Sequence, residues 1–127
     1  MQNVKYSNMY INEVLQKLRE TSSSNEKKEI LQKTIGITPF FKEFLVATFN
    51  PHINYFIKKI PQYKKNKSAL GLYGIDRILK HNMLQVFSER LKTGNDAIKH
   101  LTAMLEDLNH QDAEALERLI ERDLKCG

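Results

Sequence analysis

The sequence predicts an all-α fold, a compact bundle of six or seven helices, on the basis of three observations. Apolar residues recur at helical spacing over most of the 127 residues. Capping residues, glycine and proline separate these stretches, and no pair of segments shows the alternation that strands of a hairpin would need. With 41% apolar and 28% charged residues, the chain can form one core. Residues 1–127 are therefore expected to be a single domain.

The first two helices follow from apolar spacing and capping. A helix is predicted from about Asn8 to Glu20, after a loose N-terminus at residues 1–7. Polar residues 21–25 compete for backbone hydrogen bonds, so they end this helix and cap the next one. The second helix is expected to stop at Gly36. The inward face of the first helix consists of Ile11, Val14, Leu15 and Leu18.

The third helix is predicted to open with Thr38 as its N-cap and Pro39 in its first turn. It is the most apolar element, so we expect it at the buried centre of the fold. Asn50-Pro51 should end it, and a short helix from Ile53 to Lys59 and an exposed loop at residues 60–74 should follow. Its apolar side chains are Phe40, Phe41, Phe44, Leu45 and Phe49.

Helical spacing continues through the C-terminal half. Ile75 to Leu91 is predicted to be helical with a break near His81-Asn82. Thr93-Gly94-Asn95 interrupts it, and a strong apolar stripe then runs from Ala97 to Leu108. The last helix is predicted from about Asp112 to Leu124, with Leu116, Leu119, Ile120 and Leu124 inward.

Positive charge is concentrated in the first part of the chain. The net charge is +5, from 20 Lys and Arg against 15 Asp and Glu, but residues 1–72 carry 12 − 5 = +7 and residues 73–127 carry 8 − 10 = −2. No acid occurs between Glu43 and Asp76. A surface of one sign attracts polyanions, although lysine-rich loops also serve solubility alone. The window holds Lys58, Lys59, Lys64, Lys65 and Lys67.

The residue pattern argues against catalysis by this chain alone. Cys126 is the one cysteine, which excludes an internal disulfide and any zinc site of several thiolates. The four histidines have no metal-ligand spacing, and no phosphate-binding loop or nucleophile-elbow motif is present. No signal peptide or membrane span is evident, so we expect a reducing, cytoplasmic location and no membrane partner.

Two polar helix starts are candidates for phosphate binding. Residues 22–28 and 92–96 each place small polar residues beside lysine at the start of a helix. Free N–H groups and the helix dipole accept phosphate there, although ordinary capping is the favoured explanation for either segment taken alone. Asn25 and Asn95 lie 70 residues apart, and Leu31 and Leu101 follow each by six, which suggests an internal duplication.

Three segments resemble a known family. Residues 92–98 (KTGNDAI), 122–127 (RDLKCG) and 55–61 (YFIKKIP) are similar, in order and spacing, to stretches of the amino-terminal domain of T-even-phage-type ATP-dependent DNA ligases. The resemblance implies an all-helical domain that binds nicked duplex DNA without sequence preference. In the family, nucleotidyltransferase and OB-fold domains follow it, and they are missing from this chain. The family acts in DNA replication, repair and recombination, here in the cytoplasm of a host cell if phage-encoded.

The resemblance also limits what this chain can do. The family's nucleophile lies in a Lys-x-Asp-Gly motif, which is absent here. ATP and Mg²⁺ are therefore implied for the parent enzyme, with no cofactor expected in this chain, which we expect to be a monomer. Residues 125–127 are expected to begin an interdomain linker. The competing hypothesis is a basic helical protein-interaction module without a DNA role. The candidate DNA-binding residues are Ser23, Ser24, Asn25, Lys27, Lys28, Lys64, Lys65, Lys67, Ser68, Thr93, Gly94 and Asn95.

Overall fold

The predicted all-α fold is confirmed by a computed structural model, which describes residues 11–37, 40–65 and 74–123. These ranges contain helices and connecting turns and no β-strand. None of their helices is both long enough and apolar enough to cross a bilayer. The seven helices within these ranges are α1 (Ile11–Glu20), α2 (Ser24–Ile37), α3 (Phe41–Phe49), α4 (Ile75–Lys80), α5 (Gln85–Ser88), α6 (Gly94–Asp107) and α7 (His110–Glu121).

The last helix, and not the third, lies at the centre of the fold. α7 packs against α1, α3, α4 and α6, and its Ala115, Leu116 and Leu119 are completely buried. Phe41 and Phe44 of α3 are also completely buried, but Phe49 is 53% exposed. The prediction that α3 forms the buried centre is therefore wrong for its outer face. A helix packed from one side leaves its other face in solvent even when that face is apolar.

The short helix predicted from Ile53 to Lys59 is absent, and residues 53–65 form an irregular segment. Side chains supply the hydrogen bonds that a helix would otherwise provide. The Asn54 amide oxygen accepts from the Phe56 N–H at 2.8 Å, and Phe56 has a left-handed φ of 59°. From the end of α7, the Arg122 guanidinium donates to the carbonyls of Asn50 (2.5 Å) and Ile53. These bonds hold the chain in a turn instead of a helix.

The other boundaries differ by a few residues. The predicted cap at Thr38-Pro39 lies outside the described residues, and α3 begins at Phe41. α2 extends one residue past Gly36. The break near His81 is confirmed as a turn over residues 81–84. α7 begins at His110, where the Asn109 side chain accepts from the Asp112 N–H at 2.8 Å, and it ends at Glu121. The predicted inward residue Leu124 lies outside the described ranges.

Candidate nucleic-acid interface

The start of α6 is a helix end without a side-chain cap. Thr93 is its extended N-cap residue, and the Thr93 hydroxyl makes no capping bond. Gly94 has a left-handed φ of 55°, which glycine adopts without strain. Residues 93–96 are all exposed. The first N–H groups of a helix have no acceptor within it, so those of Gly94 and Asn95 can donate to an outside ligand together with the Thr93 hydroxyl.

Basic side chains surround this helix end. A surface cleft of about 600 Å³, here called the α6 cleft, lies beside the first turns of α6. Lys92 and Lys99 line it with Thr93, and Asp96 is the one acid among its lining residues. Its positive charge and open donors can hold an anion such as a phosphodiester. The remaining lining residues are Leu91, His100 and Ala103.

His100 occupies a defined position in the α6 cleft. Its ring meets the edge of the Phe87 ring at 5.7 Å between centroids, with 70° between the planes. Burial lowers the pKa of the His100 imidazole from 6.5, and the nearby positive charge of Lys92 lowers it further. The imidazole is therefore neutral near pH 7 in the free protein, and the two lysines supply the positive charge of the cleft.

Residues 56–65, here called the basic segment, run beside α6. At one end the Arg90 guanidinium lies 4.4 Å from the centroid of the Phe56 ring, two residues before Lys92. At the other end the Lys64 N–H donates to Glu106 Oε2 at 3.0 Å, in the last turn of α6. The 14 residues of α6 span about 20 Å, close to the rise of about six nucleotides. The exposed lysines of this segment are Lys58, Lys59, Lys64 and Lys65.

The basic segment is also fixed to α7, and Tyr55, the residue directly before it, is fixed to α3. The Tyr63 hydroxyl donates to Glu117 Oε2 at 2.5 Å. Burial, followed by the contact with the Glu117 carboxylate, raises the pKa of Tyr63. The Tyr55 hydroxyl donates to the carbonyl of Ala47, and burial raises its pKa to about 12. Both phenols therefore remain protonated donors at neutral pH, and the segment keeps its place beside α6.

The other predicted helix start is closed by a cap. The Ser23 hydroxyl accepts from the Glu26 N–H at 3.4 Å, and the Ser23 carbonyl accepts from the Lys27 N–H at 3.0 Å. Ser24, Asn25 and Lys28 are exposed. α2 packs mainly against α1 and α3, whereas α6 packs against α7. The main packing contacts of α2 and α6 are therefore with different helices, and they do not bring the two predicted helix starts together.

Three basic or titratable residues of this surface lie outside the segments that the sequence predicted as sites. Arg90, Lys99 and His100 belong to it by contact with Phe56 or by lining the α6 cleft. Spacing gave a signal for two of them, because Asp96, Lys99, His100 and Ala103 follow one helical face. The predicted Lys67 and Ser68 lie outside the described residues. The described residues contain no group of three or more His, Cys, Asp or Glu suited to a metal ion.

These features define a small all-α domain with a basic surface around an open helix start. The chain is 29% identical over 114 residues to the DNA ligases of Enterobacteria phages T4 and T6. The match covers 90% of this chain and 23% of each ligase, so the chain spans about a quarter of these curated relatives. No family model matches the chain. The comparison confirms the resemblance to T-even phage DNA ligases.

Proposed function

We propose that this chain is a DNA-binding domain of an ATP-dependent DNA ligase, which holds nicked duplex DNA through phosphate contacts without sequence preference. It forms the N-terminal part of a larger enzyme whose nucleotidyltransferase and OB-fold domains use ATP and Mg²⁺ to seal the nick. The similarity to part of the phage ligases supports the relation to a ligase. The absence of a Lys-x-Asp-Gly motif from the sequence agrees with chemistry in another domain.

The arrangement at the start of α6 carries the proposal. Lys92 and Lys99 flank an N-terminus at which Thr93 does not cap the helix. In the proposed complex, the Thr93 hydroxyl and the N–H groups of Gly94 and Asn95 donate to one phosphate, and the two ammonium groups neutralise it and its neighbours. The basic segment follows the same strand along α6. None of these contacts reads a base edge, so affinity is expected not to depend on sequence.

The salt dependence of binding tests this proposal. Contacts to about five phosphates predict that log affinity falls with log salt at a slope of roughly −4 to −5. The double variant Lys92→Ala/Lys99→Ala should bind more weakly and make the slope shallower by about 2, because two contacts are lost. Fluorescence anisotropy of a labelled nicked duplex at several salt concentrations gives both quantities.

A matched control separates the proposed surface from overall charge. Lys33→Ala/Lys42→Ala removes the same charge from exposed positions of α2 and α3, and its slope should stay close to that of the wild type. A wild-type chain that does not bind duplex DNA at modest salt would refute the proposal and favour a protein-interaction module. Equal losses in the two double variants would instead refute the assignment of the α6 cleft.

A further inference from the structure

Leu91 is an exposed apolar side chain within the basic surface. It is 71% exposed, more than any other large apolar residue in the described ranges, and it lines the α6 cleft between Arg90 and Lys92. A single exposed leucine is unremarkable on most surfaces. The position of Leu91 is informative because its backbone is fixed and its neighbours carry positive charge.

A helix-terminating turn fixes that backbone. The Arg90 N–H donates to the Phe87 carbonyl at 3.0 Å, and the Leu91 N–H donates to the Val86 carbonyl at 3.0 Å. Arg90 has a left-handed φ of 55°. This is the bonding pattern of a Schellman turn, in which the residue at the Leu91 position commonly packs back onto the helix. Here Leu91 remains in solvent, so the turn presents it outward.

A second exposed apolar side chain lies near it. Phe56 is 49% exposed and carries the Arg90 guanidinium 4.4 Å from its ring centroid. Leu91 is the neighbour of Arg90 in the chain, so the surface combines two apolar side chains with Arg90 and Lys92. Duplex DNA offers the complementary pattern, because its charged phosphates alternate along each strand with deoxyribose, whose carbon atoms are apolar.

We infer that Leu91 is an apolar anchor that packs against deoxyribose of duplex DNA, while Arg90 and Lys92 contact the flanking phosphates. The inference rests on the proposed function and adds to it a contact that releases no counterions. Binding therefore has a salt-dependent part from the lysines and a salt-independent part from Leu91. The two parts can be separated by experiment.

Leu91→Ala is the test, measured on nicked duplex by anisotropy at four or more salt concentrations. Removing a side chain that becomes buried against DNA in the complex should weaken binding roughly tenfold at every salt concentration. The slope of log affinity against log salt should stay unchanged, because no charge is removed. Leu91→Met keeps an apolar side chain of similar size, so it should retain most of the affinity of the wild type. The thermal midpoint should not fall, because Leu91 is 71% exposed.

Val46→Ala is the control, since Val46 is also apolar and 51% exposed but lies on α3. It should bind DNA like the wild type. Equal binding by the wild type and Leu91→Ala would overturn this inference and leave the proposed function standing. A shallower slope, or a lower thermal midpoint, in Leu91→Ala would overturn it as well, because the loss would then come from displaced charges or from the fold. A wild-type chain that fails to bind would overturn the proposed function itself.

Discussion

His100 is the residue at which the charge of the candidate interface depends on pH. It shares the α6 cleft with Lys92, Lys99 and Asp96, and the Phe87 ring on α5 packs against it. Burial and Lys92 lower its pKa in the free protein. A phosphate in the cleft adds negative charge beside the imidazole and favours its protonated form. Binding should therefore raise the pKa of His100 and take up a proton.

We predict that the affinity for duplex DNA rises severalfold as the pH falls from about 7.5 to 5.5 at constant ionic strength. The sign follows because the bound state holds the proton more tightly than the free state. His100→Gln should reduce this dependence, and anisotropy titrations at each pH would measure it. His81→Gln changes an exposed histidine at the end of α4, and its affinity should depend on pH as that of the wild type does. The same pH dependence in His100→Gln would contradict the assignment.

The segment after α3 shows how one side chain decides the structure of an element. Arg122 is the C-cap residue of α7 and has a left-handed φ. Its guanidinium donates to the carbonyls of Asn50 and Ile53. These acceptors precede Arg122 by 72 and 69 residues. Local spacing favours a helix here, and only this distant donor and the side chain of Asn54 explain the turn. Arg122 therefore positions residues 50–53, which lead into the basic segment, and it belongs to the motif that carries the resemblance to ligases.

We predict that Arg122→Lys lowers the free energy of unfolding by about 1–2 kcal/mol. A single ammonium group cannot reproduce the planar fork that reaches both carbonyls, so one partly buried carbonyl loses its bond to residue 122. The urea midpoint, followed by circular dichroism, would measure the change. Arg77→Lys makes the same exchange at an exposed position of α4 and should lower the midpoint by less than Arg122→Lys does. A variant as stable as the wild type would show that the Arg122 bonds contribute little.

At the scale of the whole molecule, α7 supports the proposed interface from within. Its buried face anchors α1, α3, α4 and α6, and Glu117 on its partly exposed face holds Tyr63. The bond from the Lys64 N–H to Glu106 places the basic segment beside α6, although 42 residues separate the two partners in the chain. This arrangement places lysines from two distant parts of the sequence on one proposed surface.

Such a surface should bind unrelated duplexes equally well. We predict that Lys64→Ala/Lys65→Ala/Lys67→Ala weakens binding by the same factor for duplexes of different sequence, because phosphates are common to all of them. Anisotropy with two unrelated nicked duplexes would measure the factor. Lys33→Ala/Lys42→Ala/Lys80→Ala, on α2, α3 and α4, is the control of equal charge. A loss confined to one duplex would indicate base readout, and no loss would remove the basic segment from the interface.

The sequence by itself determined the fold class, most helix positions and the polar start of α6. Helical spacing and capping residues are local properties of the chain, so they can be recognised without knowledge of the fold. Tertiary structure alone decided three features: that α7 is the centre, that residues 53–65 are not helical, and that Arg90 joins the candidate interface. Each depends on contacts between residues distant in the chain, such as Arg122 with Ile53 and Arg90 with Phe56. Spacing along the chain carries no information about such contacts, because packing brings the partners together.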